Sequence, residues 1–342
     1  MGILDWFKNR SAQFDDQQIS DELLRSATEK ALTLTNPRLQ VLPGCHKRLA
    51  SSVRTTIEFL GEMVRELPPV RELAAVNWAT DPSWRAFFVT PNDIGITLGR
   101  SERLRTLFSK YPELDEAFLV LGMDVSEQQT LGIAVEGEMI RRDVLQTSVS
   151  FSDHRTHICS REESRLRRLF GAAAYEYLLA QALTEIAECR TERSELEGNR
   201  SLLQSRWRML QQQGPGLGSM FSTADEGRAE QKKLAEQLLA NEQQLREIGT
   251  AENILEIELQ TLCAVLDNPG RYLSIAQHRL HLNATNIVVD DPIDSNAAGV
   301  DFSLAEFKGT SSRRRAFVLA RVARGEVPAP RRIDFDDAAR FL

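Results

Sequence analysis

Two long, charged helical stretches joined by a glycine-rich turn limit the fold of this 342-residue chain more than any other feature. The first runs from about Arg161 to Gln213, the joint is Gly214-Pro215-Gly216-Leu217-Gly218, and the second runs from about Asp225 to Asp267. Glycine and proline break helices and supply turns, so the pattern predicts an antiparallel coiled-coil hairpin projecting from a globular body. In the second stretch Leu234, Leu238, Leu245, Ile248, Leu255, Leu259, Leu262 and Leu266 fall on alternating spacings of three and four, with Asn241 and Glu252 as interruptions. That is the spacing of a coiled-coil seam. In the first stretch Cys189, Leu196, Leu203 and Leu210 recur every seven residues, and Ile186, Arg193, Arg200 and Trp207 form the alternating set. A seam arginine can snorkel, pair with Asn241 or Glu252 across the interface, or face a partner chain. Arg193, Arg200, Trp207 and Asn241 are therefore the arm's candidate partner-binding residues. At 1.5 Å per residue, helices of about 40 to 50 residues give an arm of roughly 60 to 75 Å. Such an arm suits protein binding or self-association.

Strand periodicity flanks the arm. Leu131, Ile133 and Val135 alternate with Thr130, Gly132 and Ala134, and Leu145, Thr147, Val149 and Phe151 alternate with Val144, Gln146, Ser148 and Ser150. Glu136-Gly137 and Arg142-Asp143 are turn candidates between them. Strand character returns at Tyr272 to Leu282, Ile287 to Asp290, Val300 to Phe307 and Arg313 to Val322. Strands on both sides of the hairpin predict one antiparallel sheet with the arm inserted between its strands.

Before the sheet the texture is helical. Ile19, Leu23, Leu24, Ala27, Ala31 and Leu34 follow helical spacing up to Asn36-Pro37, and Leu49, Val53, Ile57, Leu60 and Val64 make a second stripe ended by Pro68-Pro69. Trp78, Trp84, Phe87 and Phe88 read as a small aromatic core. Shorter helices are expected at Asp93 to Gly99 and Ser101 to Lys110, with Ser101 as N-cap. The expected class is thus α+β, with a helical N-terminal region, an antiparallel β-sheet and a long coiled-coil hairpin inserted between sheet strands. The expected divisions are an amphipathic peptide at 1–14, a helical region at 15–115, a sheet domain at 116–160 plus 270–324, the arm at 161–269 and a flexible tail at 325–342.

The net charge of −7 argues against a chain that is basic overall and gathers nucleic acid by charge. Local basic clusters remain, above all Arg313, Arg314, Arg315, Arg321 and Arg324, which could meet nucleic acid or anionic lipid. Only Phe317 supplies an aromatic nearby, so a single-strand stacking surface is not favoured. Ile3, Leu4, Trp6 and Phe7, followed by Lys8 and Arg10, form a short amphipathic peptide suited to a membrane surface or to docking on the body. No apolar run reaches bilayer length. Four cysteines without a C-x-x-C pattern suggest reduced thiols in a cytoplasm.

Two H-x-x-H pairs, His154/His157 and His278/His281, flank the arm. In regular strands residues three apart face opposite ways, so neither pair can converge on one ion. His157 and Cys159 would share a face, and with His281 they could hold zinc. The phosphate loop, H-E-x-x-H, G-x-S-x-G and kinase signatures are missing. The chain therefore reads as a non-catalytic scaffold or adaptor. The alternatives are a peripheral membrane or nucleic-acid-associated protein, and a metal-binding enzyme at the arm root.

Overall fold

The computed structural model describes residues 20–136, 139–212, 224–248, 253–289, 297–309 and 312–328. In chain order the elements are α1 (Asp21–Leu34), α2 (Cys45–Arg65), β1 (Arg71–Glu72), α3 (Pro82–Phe87), α4 (Pro91–Arg100), α5 (Glu102–Lys110), β2 (Glu116–Glu136) and β3 (Met139–Ser160). They continue with α6 (Glu163–Gln212), α7 (Ala224–Ile248), α8 (Ile254–Asp267), β4 (Leu273–Leu282), β5 (Ala298–Phe307) and β6 (Arg313–Ala323). The class is α+β, with the helical hairpin between β3 and β4. The described residues fall into two compact units, one within 58–175 and 270–328, the other within 20–57 and 176–269. Residues 15–115 are thus divided between the units.

The first unit is built on a sheet of order β3-β2-β6-β5-β4, antiparallel throughout except for the two-residue β1, which runs parallel to β6. Alternation along β2 and β6 makes two buried faces. Ala117, Leu119, Leu121 and Met123 join Ala316, Val318, Ala320 and Val322 on one side, under Trp84, Phe87, Phe88, Ile94, Leu98 and Leu104 from α3 to α5. Val120, Phe317 and Leu319 face the other side, against Leu67 and Leu166, with Val64 and Phe170 packed around them. The expected aromatic core is present: Trp84, Phe87 and Phe88 are fully buried, and the Trp84 indole donates to the Glu72 carbonyl at 2.9 Å. A buried indole needs such an acceptor. Local signals set the helix starts. Ser101 accepts from the Leu104 amide at 3.2 Å, and Thr90 with Asp93 closes a capping box on α4.

Two expectations fail in detail. Arg142-Asp143 is not a turn; it lies inside β3, at an irregularity where the register shifts between Gly132 and Ala134 and Asp143 takes φ 61°. Of the strand expected at Ile287 to Asp290, Asp290 lies outside the described residues and Ile287 to Val289 is not a full strand. Ile287 and Val288 make isolated bridges, the first to Ser148 of β3 and the second to Leu282 of β4.

β3 carries two further register shifts. Val120 pairs with Ile158 and Leu121 with Thr156, so His157 is an extra residue. Gly122 pairs with Arg155 and Asp124 with Ser152, and Asp153 between them has φ 49°. Such bulges bend a strand and break the strict alternation of faces.

The second unit is helical. Ala27 and Ala31 of α1, Leu49 and Val53 of α2, Leu178, Ala182 and Ile186 of α6, and Leu259, Leu262 and Leu266 of α8 are buried. Their spacings of three, four and seven give each helix one apolar stripe. Polar ties support the packing: Thr56 donates to the Leu266 carbonyl at 2.5 Å, and Arg48 pairs with Glu256 at 2.7 Å. Farther along the hairpin α6 pairs with α7, where Leu234 and Asn241 are buried. At 50 residues, α6 is about 75 Å long.

Candidate partner-binding site on the helical arm

The arm seam changes character along its length. Near the apolar bundle Glu258 of α8 is almost fully buried, and a carboxylate there needs partners. It has two: Arg190 of α6 at 2.6 Å and the Asn36 amide at 2.6 Å. Asn36 also accepts from the Arg38 amide at 3.0 Å, so one side chain caps the helical turn at Pro37–Val41 and ties it to α8. Sequence reasoning missed Glu258 because it stands one position off the leucine repeat, beside Leu259.

One turn further, satisfaction is incomplete. Arg193 is largely buried (13% exposed side chain) and pairs with Glu197 of its own helix at 2.9 Å, but its Nη1 is buried without a partner. Asn241 of α7 is buried and donates to the Leu196 carbonyl of α6 at 3.2 Å, while its Oδ1 has no partner. Arg200 crosses the seam to Glu242 at 3.3 Å, one residue beyond the expected Asn241. Both members are substantially exposed, so the pair is worth roughly 0.2 to 1 kcal/mol. Trp207 is half-buried. Each unpaired buried polar atom costs about 1 to 3 kcal/mol. Outside the seam, Leu202 and Met209 are 68% and 64% exposed and lie seven residues apart on one stripe of α6. Glu252 and the Gly214–Gly218 joint lie outside the described residues.

The zinc set does not converge. His157 and Cys159 belong to β3 and His281 to β4, at opposite ends of the strand order. The His157 bulge also separates the first two. A Cβ on Gly122, whose β6 partner is Phe317, would meet the His157 ring at 3.2 Å, whereas Cys159 packs with the opposite core. Among the described residues no group of three or more His, Cys, Asp or Glu side chains is placed to hold an ion. Burial pushes the Cys159 thiol up to about 11, against a hydrogen bond to Ser101 that lowers it. His154 is stacked on Phe88 with ring centroids 4.5 Å apart, and burial holds its imidazole below the ordinary histidine range.

Four of the five cluster arginines have partners within the fold. Arg314 pairs with Glu306 at 2.9 Å, Arg315 reaches Asp153 at 3.0 Å and Asp124 at 3.4 Å, and Arg321 reaches Glu116 at 3.3 Å. Arg324 donates to the carbonyls of Leu114, Tyr111 and Phe108 and lies over the Phe108 ring. Of the five candidates Arg313 has no such tie described. The membrane candidates Ile3, Leu4, Trp6 and Phe7 lie outside the described residues. Among the described residues no helix is long and apolar enough to cross a membrane.

These features define a class: an α+β protein carrying an inserted helical arm with a polar, incompletely satisfied seam. In comparisons with known protein families, curated proteins and solved structures, the chain matches none.

Proposed function

We propose that the protein is a non-catalytic scaffold or adaptor that takes a protein partner on its helical arm, around Arg193, Arg200, Trp207 and Asn241. The observation that carries this reading is the pair of buried, unpartnered polar atoms, Arg193 Nη1 and Asn241 Oδ1, in the seam of an arm that also exposes Leu202 and Met209. A partner helix would supply both a polar match and cover for the apolar stripe. Four free cysteines support a reducing compartment such as the cytoplasm. The membrane reading rests on residues 1–14, and the nucleic-acid reading on arginines of which Arg314, Arg315 and Arg321 are already paired with carboxylates, so neither is preferred.

Affinity capture with the full chain and with residues 186–250 deleted tests the proposal. Leu202→Glu with Met209→Glu is the second variant, because both positions are exposed and the fold tolerates charge there. Loss of the same partner from both is the expected result. An unchanged set of partners in both overturns the adaptor reading.

A further inference from the structure

β2 and β3 are far longer than the sheet that holds them. β6 accompanies β2 only from Glu116 to Met123. From Asp124 onward β2 has β3 as its one described partner, and the two continue as a ribbon to Glu136 and Met139. At about 3.4 Å per residue, twelve residues of ribbon reach roughly 40 Å past the sheet. On β3 part of the outer edge is covered: the Val149 amide donates to the Asn286 carbonyl and the Val288 amide to the Thr147 carbonyl, both at 2.8 Å. The outer edge of β2 has no comparable cover among the described residues. A two-stranded ribbon is marginal alone, and an open edge is ordinarily guarded by charge or proline. Here Gln128 to Val135 holds neither. Leu131 and Leu145 are direct cross-strand partners, 70% and 61% exposed.

We infer that the open β2 edge pairs with the same edge of a second copy of this chain, joining two ribbons into a four-stranded sheet around a two-fold axis. Self-pairing is favoured over a charged partner strand because the edge is nearly neutral and self-complementary. An antiparallel register centred on Leu131 sets Glu127 opposite Val135 and Glu136 opposite Ser126, so no carboxylate opposes its own copy. Leu131 then meets Leu131 of the second copy, and each Leu145 flanks that pair. This contact is independent of the arm.

Sedimentation equilibrium on the full chain across a range of concentrations tests the inference. The wild type self-associates to a dimer. Leu131→Lys with Leu145→Lys places like charges directly opposite across the axis and weakens the dimer on the order of tenfold or more. Both positions are exposed, and an unchanged circular dichroism spectrum shows that the fold is kept. The Leu202→Glu, Met209→Glu arm variant stays dimeric. Hydrogen exchange adds a direct reading: amides of residues 125–132 gain protection as concentration rises. A monomeric wild type overturns the inference, as does a dimer indifferent to the lysines. A monomer that captures a different protein through Leu131 and Leu145 also overturns it, in favour of a foreign strand.

Discussion

Asn241→Leu should make the protein more stable and its arm less discriminating. The side chain is 6% exposed in the seam between α6 and α7, with Leu234 one heptad before it. Removing its amide forfeits one hydrogen bond, to the Leu196 carbonyl at 3.2 Å, worth about 1 kcal/mol net. It also removes the unpartnered Oδ1, relieving about 1 to 3 kcal/mol of uncompensated burial. The new leucine adds apolar burial of about 1.5 to 3 kcal/mol, discounted for an imperfect fit. The balance is a gain of about 2 kcal/mol, a rise in melting midpoint of roughly 5 °C or more for a unit of this size. Urea and thermal unfolding of the full chain, followed by helical circular dichroism, read the change. Asn241→Ala separates the terms: it loses the bond and the orphan without filling the space, so it should stay within about 1 kcal/mol of wild type. If Asn241→Leu unfolds at lower urea than the wild type, Oδ1 is satisfied in solution and the seam argument is wrong. If the variant is stabilised yet keeps every arm partner, the polar seam is not what the partner reads.

Leu262→Ala, at a fully buried position of α8, should cost about 3 kcal/mol in the same unfolding experiment, and a cost under about 1 kcal/mol would contradict the packing described. Because burial lowers the His154 proton affinity in the folded state, His154 adds no pH dependence to stability well above about pH 6.5, where both states are neutral. As pH falls below that value the unfolded chain takes the proton first and stability drops until the folded value is passed. His154→Phe should flatten that fall, leaving the share of His157, which burial shifts the same way; an unaltered profile in urea midpoints refutes the assignment. The Asp153 carboxyl is held below its usual range first by its hydrogen bond from Arg155 and then by Arg315. Its stabilising contribution is present above about pH 3.9 and is lost as pH falls through the lower folded value. Arg315→Ala should raise the Asp153 titration point in an NMR titration, and its stability deficit should narrow in acid. No shift in that titration would exclude the Arg315 contact.

Sequence periodicity located the hairpin because a heptad repeat survives any environment. Leucines at spacings of three and four can be buried together only along one helix face, and α6, α7 and α8 span those stretches. It recovered β2 less well. Phe118 to Met123 is buried on both faces of the sheet, so its apolar run carries no alternation, and the strand period appears only in the exposed ribbon beyond Asp124. The zinc set failed for a related reason. Face-sharing by residues two apart assumes a regular strand, and one extra residue at His157 turns it away from Cys159. The arginines misled through distance along the chain. From Arg313 to Arg324 they look unneutralised, yet Glu116, Asp124, Asp153 and Glu306 come to the arginines of β6 from β2, β3 and β5.

The same contrast between local pattern and distant partner bears on the arm. Glu258, Arg193 and Asn241 are all polar groups buried among leucines, and from sequence only the last two stood out. The fold provides Glu258 with both Arg190 and Asn36, one partner from the facing helix and one from the turn after α1. That second partner comes from the turn after α1, which Asn36 caps. Farther along the arm, among the described residues, Asn241 bonds across to α6, and two helices cannot meet every donor and acceptor of a guanidinium and an amide in one seam. Among the described residues Arg193 Nη1 and Asn241 Oδ1 remain unpaired. A helix laid along the distal arm would stand to Arg193 and Asn241 as the Asn36 turn stands to Glu258, which is why that stretch, rather than the leucine-rich root, is the place to expect a partner.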